Sequence, residues 1–170
     1  LHPGRYDVCF LLGDNEYRDV EKILTAIPKE KCYMLLGNHD TWTCLDDFGI
    51  PNIHGRVVNV KGIRFAGLQG SKRYKRNPDR VMYTPEESRK IAEKMGNLDF
   101  DVLLTHDKAM TEPLTEQNLW NAHSGMPGIC ELIREKEPKY HVHGHLHQQM
   151  REQIGSTASI GVYRVSLMEL

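Results

Sequence analysis

At 170 residues, with 39% hydrophobic and 26% charged side chains, the chain has the size and composition of one globular domain with a real core. A net charge of −1 gives no global pull toward nucleic acid or membrane, and no apolar run approaches the roughly 20 residues of a membrane span. No segment reads as a signal peptide, and Cys9, Cys32, Cys44 and Cys130 fit neither a zinc knuckle nor a dense disulfide framework, so buried free thiols in a reducing, cytoplasmic setting are expected.

Residues 7–12 form a short, mostly apolar run that ends in Gly13, the pattern of a strand buried on both faces. Glu16 to Ile27 reads as a helix, with Val20, Ile23, Leu24 and Ile27 on one stripe and Pro28 as its stop. Lys31 to Leu36 is the next buried strand, and the strand–helix–strand order predicts a parallel pair. Arg56 to Val60 and Gly62 to Leu68 predict a hairpin around Lys61-Gly62, followed by a basic loop from Ser71 to Arg80. Thr84, Pro85 and Glu87 open a helix with a capping box, its stripe is Ile91, Ala92 and Met95, and Gly96 ends it.

Asp101 to Thr105 is another buried strand. Pro127 to Lys136 is a helix with Ile129, Leu132 and Ile133 inward, and Tyr140 to His143 is a strand. Two last strands are expected at Gln148 to Ile154 and Ala158 to Leu167. Strands alternating with helices, then strands alone, predict an α/β fold over residues 1–170: a two-sheet β-sandwich flanked by helices. Trp42 and Trp120 are expected to pack, with Trp42 close enough to Asp40 to line a cleft.

Four motifs follow predicted strands: Gly13-Asp14, Gly37-Asn38-His39-Asp40, Thr105-His106-Asp107 and Gly144-His145-Leu146-His147. They bring carboxylate, amide and imidazole donors to strand ends, where α/β proteins bind ligands. Mixed nitrogen and oxygen donors suit manganese, iron or zinc better than calcium or magnesium. His141 and His143 share a strand face with the last motif and are expected to be structural. Adjacent Asn and His side chains after a buried strand both need polar partners, which makes Gly-Asn-His-Asp the most specific of the four.

In these motifs the chain resembles the calcineurin-like metallophosphoesterase superfamily, and in particular its small bacterial and phage members. The family pattern is D-x-H, then G-D, G-N-H-D/E, a histidine, and G-H-x-H, and the last four elements match across residues 13–147. The resemblance implies two divalent metal ions, manganese first, with iron or zinc as alternatives. By motif position Asp14 bridges them, Asn38, His106 and His145 bind the second, and His147 binds the first. His39 is the implied catalytic histidine, with Asp40 orienting it.

The D-x-H element is absent: Asp7 lacks a histidine at the right spacing, and His2 precedes Pro3. With no initial Met, the chain reads as truncated, lacking a first strand, loop and helix of roughly 25 residues; a natively short chain with one complete metal site and part of the other is the alternative. Lys72, Arg73, Lys75, Arg76 and Arg80 crowd the basic loop around Tyr74. They read either as a solvated surface or as a wall for phosphate or a nucleotide base. Arg73, Tyr74 and His123 are the candidate substrate contacts. The expected activity is hydrolysis of phosphate monoesters or diesters, on a small phosphate ester or nucleotide, by a hydroxide bridging the metals. A non-catalytic scaffold and a nuclease are the competing readings. The near-neutral charge disfavours long nucleic-acid tracks, and no membrane partner is expected.

Overall fold

The predicted strand–helix–strand unit is present. In this computed structural model, which describes residues 5–170, β1 (Cys9–Leu11) and β2 (Cys32–Met34) pair in parallel and are joined by α1 (Tyr17–Ala26). His2 lies outside the described residues. Val20, Ile23, Leu24 and Ile27 pack with Leu11, Cys32, Met34 and Leu36, so the helical stripe covers the side of the pair that faces away from the large sheet. α2 (Cys44–Phe48) follows β2; five residues are too few to write a periodic stripe, and the sequence reading misses it.

A six-stranded sheet forms the second layer, in the order β3-β4-β7-β8-β10-β9. β3 (Val57–Val60) and β4 (Ile63–Leu68) are the expected antiparallel hairpin. Its turn holds Lys61 and Gly62 at φ of 51° and 89°, the left-handed geometry a tight hairpin needs. β7 (Val102–Thr105) and β8 (Tyr140–His143) run parallel to β4, and β10 (Thr157–Gly161) runs parallel to β8. β9 (Met150–Ile154) closes the edge antiparallel to β10. β5 (Ser71–Lys72) and β6 (Met82–Tyr83) bracket the basic loop as a two-residue parallel pair.

The period of two along β7 explains the layering. Leu103 packs under α3 (Pro85–Gly96) and α5 (Pro127–Lys136), against Ala92, Met95, Ile129 and Ile133. Val102 and Leu104 point the other way, toward Phe10, Leu12 and Tyr33 of the first layer. Helices therefore cover one face of the large sheet and β1–β2 covers the other, which is the two-sheet α/β arrangement the sequence predicts. The capping box of α3 is formed: Glu87 N donates to Thr84 Oγ1 at 3.1 Å and Thr84 N to Glu87 Oε2 at 2.7 Å.

Two expectations change. The last strand stops at Gly161 instead of Leu167, and Tyr163, Val165 and Leu167 are 41%, 58% and 71% exposed, so their alternation is not used by a sheet. Trp42 and Trp120 do not pack inside; they are 51% and 62% exposed. All four cysteines are free, with Cys32, Cys44 and Cys130 buried. Among the described residues no helix is long and apolar enough to cross a membrane.

Candidate metal centre

The carboxyl ends of β1, β2, β7 and β8 carry the four motifs to one place. Glycine makes the approach possible. Gly13 has φ of 92°, and a Cβ there would stand 2.7 Å from His106 Nδ1; a Cβ on Gly37 would stand 2.5 Å from His106 Cε1. Asp14 and His145 hold φ of 53° and 64°, left-handed values uncommon outside glycine and enriched at functional sites.

His106 is fully enclosed by this packing. Its Nδ1 lies 2.7 Å from the Leu12 carbonyl oxygen. A carbonyl only accepts, so Nδ1 carries the hydrogen and Nε2 of the neutral ring keeps its lone pair. That Nε2 faces Asn38 Oδ1 at 3.0 Å and Asp14 Oδ2 at 3.3 Å. Asp14 Oδ2 is buried with no hydrogen-bond partner. Three lone pairs converge there, an arrangement that needs a cation: a second proton on His106 or a metal ion.

His145 follows the same rule. Its Nε2 lies 3.0 Å from the Ala122 carbonyl oxygen, so the hydrogen sits on Nε2 and Nδ1 is the free donor. Its ring is 5.0 Å from that of His106, and the ligand atoms of Asp14, His106 and His145 all lie within 4.8 Å of one another. Burial lowers the pKa of His145 and keeps it neutral, as a ligand must be. Burial pushes the Asp14 carboxyl up, but the His106 ring and the His39 amide outweigh it and hold it at about 2. For His106, burial acts downward, and the Asp14 carboxylate outweighs it and raises the pKa. With Asn38, these residues make a four-donor set of two oxygens and two nitrogens, which fits a divalent ion of the manganese, iron or zinc type.

The other predicted residues are placed less uniformly. His39 is exposed; its N–H donates to Asp14 Oδ1 at 2.7 Å, which anchors the residue at the rim. Asp40 does not orient the His39 ring. Its Oδ2 accepts from Gly37 N at 2.7 Å and Asp14 N at 2.8 Å, tying the two ligand loops together. His147 is exposed and outside the cluster, with its ring 5.5 Å from that of Tyr163. Among the described residues, one donor set is therefore assembled. His141 and His143 are buried inside the sheet, His141 between Thr105 Oγ1 at 2.8 Å and Ser159 Oγ at 2.9 Å.

The basic loop reaches the site at two points. Asn38 Nδ2 donates to Tyr74 OH at 3.1 Å, and Arg80 donates to the His39 carbonyl. Tyr74 thus touches the amide that faces His106. Arg73 turns away, donating to the Met82 carbonyl at 3.1 Å and Glu87 at 3.2 Å. The exposed His123 ring lies 5.2 Å from that of His145. The sequence reading misses Lys72 and Asp107 as inner residues: both are fully buried, and Asp107 Oδ2 accepts from Lys72 N at 2.9 Å. Lys72 is read as one more cation of a surface loop, and nothing in its neighbours signals otherwise.

A sequence model described as calcineurin-like phosphoesterase matches residues 2–149. Among solved structures, TT1561 of Thermus thermophilus aligns with a TM-score of 0.59 at 16% identity, covering 91% of this chain and 76% of its own. A second solved structure aligns with a TM-score of 0.60 at 15% identity over 84% of this chain; this chain spans only 62% of that one. At such identities the likeness concerns the fold alone. No curated protein matches the chain. The family match extends over the four motifs and the strands that present them, and on that ground the chain belongs to the calcineurin-like phosphoesterase family.

Proposed function

We infer that this chain is a metal-dependent phosphoesterase whose chemistry takes place at the cluster of Asp14, Asn38, His106 and His145. The observation that carries this reading is the meeting of three unprotonated donor atoms, Asp14 Oδ2, Asn38 Oδ1 and His106 Nε2, in a buried spot. Those residues and His145 would hold a divalent ion. A bound ion supplies Lewis acidity toward a phosphoryl oxygen and makes water a better nucleophile near neutral pH. Manganese is the first choice, and His147 is the residue available to a second ion.

The residues around the donors have definable tasks. His39 stands exposed at the rim on a backbone pinned by Asp14, where its ring can hydrogen-bond a phosphoryl oxygen and give a proton to the leaving alkoxide. Asp40 keeps the two ligand loops in register. Tyr74 and Arg80 anchor the loop between them across the rim, and its exposed Lys75 and Arg76 favour an anionic substrate: a phosphorylated small molecule or nucleotide, monoester or diester. His123 is a neighbour for the substrate on the His145 side.

The test is hydrolysis of p-nitrophenyl phosphate and bis-p-nitrophenyl phosphate with added Mn²⁺, Fe²⁺ or Zn²⁺, together with bound-metal analysis. Wild-type protein should turn over at least one ester; His39→Ala should keep the metal and lose turnover. A wild-type protein that binds metal yet hydrolyses neither ester would sink the enzymatic reading in favour of a scaffold. A substrate affinity that collapses with added salt would point to nucleic acid instead.

A further inference from the structure

Lys72 is a fully buried cation whose ammonium meets no carboxylate in hydrogen-bond contact among the described residues. Burial lowers its pKa, so the location carries a cost. Its Nζ donates to the Asn118 carbonyl at 2.9 Å and to the Leu119 carbonyl, at the end of the short α4 (Glu116–Leu119). The Asn118 carbonyl also accepts from Ser124 Oγ at 3.1 Å and Asn121 N at 3.2 Å. Lys72 Nζ, the Trp120 and Asn121 N–H groups and the Ser124 hydroxyl thus gather on one carbonyl and fix the turn between residues 119 and 124. Ala122 lies in that turn, and its carbonyl sets the tautomer of His145.

Two residues further on, Tyr74 OH takes the hydrogen of Asn38 Nδ2. An amide held by its nitrogen presents its oxygen the other way, toward His106 Nε2 and Asp14 Oδ2. Lys72 closes β5, and Tyr74 follows two residues later in the irregular stretch beyond it. The segment itself is held by Lys72 N on Asp107, next to the ligand His106.

We propose that the segment Ser71–Tyr74 is a two-armed brace in which Tyr74 fixes the rotamer of Asn38 and Lys72, through the turn at Asn118–Ser124, fixes the ring of His145. The inference rests on the metal reading above and extends it: both are positioning residues, each acting on a different ligand of the same set. Outer partners of this kind commonly govern affinity about 10–100-fold.

The experiment is calorimetric Mn²⁺ titration of wild type, Tyr74→Phe and Lys72→Met, with long-range ¹H–¹⁵N spectra of the histidine rings in the metal-free protein. Tyr74→Phe should bind Mn²⁺ about tenfold or more weakly, with the metal-free melting temperature unchanged. In the wild type His145 should give the spectrum of a single tautomer with its hydrogen on Nε2; in Lys72→Met it should average between tautomers while His106 does not. Ser124→Ala loosens the same turn and replaces Lys72→Met if that variant fails to fold. Equal Mn²⁺ affinity in Tyr74→Phe, or an unchanged His145 spectrum with the turn loosened, overturns the brace. A wild-type protein with no Mn²⁺ affinity would instead overturn the metal reading beneath it.

Discussion

At the scale of single residues, the pair Asp14–His106 makes metal binding and protonation exclusive of each other. Both claim Nε2 of a ring whose Nδ1 hydrogen is committed to Leu12. The His106 pKa is raised above its ordinary 6.5 by the Asp14 carboxylate, so the proton begins to compete in the neutral range. Mn²⁺ affinity should therefore rise with pH through that range; a flat profile in calorimetry would contradict the assignment of Nε2 as donor. For the metal-free protein the signs are opposite. His106, raised on folding, stabilises below its unfolded pKa, and that contribution is lost as pH rises through the folded value. Asp14, lowered to about 2, contributes above its unfolded value of 3.8 and is lost as pH falls through about 2. The pair's own share of metal-free stability is therefore greatest between pH 3.8 and 6.5; in chelator-treated samples followed by circular dichroism, the melting-temperature loss of Asp14→Asn relative to wild type should be largest there.

Legibility was greatest at this scale where a residue type and its motif coincide. Asp14, Asn38, His106 and His145, each from a different motif, lie close together. What the sequence does not write is the direction of a side chain. Asp40 sits beside His39 in sequence, yet its carboxylate faces Gly37 and Asp14, because a buried oxygen takes the amides that the tight turn presents to it. Lys72 and Arg73 are adjacent cations; Lys72 ends the two-residue strand β5 and turns inward, and Arg73, just past it, reaches Glu87. That divergence cannot be read from a stretch too short to show a period.

At the scale of elements, stability and site can be separated. α3 begins at a complete capping box on the helical layer, with no contact to a donor residue among its hydrogen bonds. Thr84→Ala should cost about 1 kcal/mol in chemical denaturation and leave Mn²⁺ affinity unchanged. A matching loss of affinity would mean that the helix supports the site through β6 and Tyr83. Long elements were legible because they carry enough residues to show their period: α1, α3 and α5 each occupy the span the apolar stripe predicts to within a few residues. The tail beyond Gly161 has strand-like alternation, but Val162 N makes the last bond to His143 and no further partner strand follows. Alternation predicts a strand only where a neighbouring strand exists to accept it.

At the scale of the whole molecule, the core is divided by the large sheet. Leu104 packs between the sheet and the β1–β2 layer, and Leu132 packs on the helical side. Truncation of either buried leucine to alanine should cost about 2–5 kcal/mol. Only Leu104→Ala should also weaken Mn²⁺ binding, because it alone lies between the two layers that share the donors. Equal affinities in the two variants, measured by calorimetry, would show that the layers hold their spacing without that contact.

The donors themselves divide by layer. Both oxygens, from Asp14 and Asn38, stand on β1–β2; both nitrogens, from His106 and His145, stand on β7 and β8 of the large sheet. An ion held by all four would act as a rivet between two plates, each of which supplies only half of the grip. Its occupancy would then be a gauge of how closely the plates are seated. Removing it should speed amide exchange along β1 and β2 first, while the strands at the centre of the large sheet keep their protection.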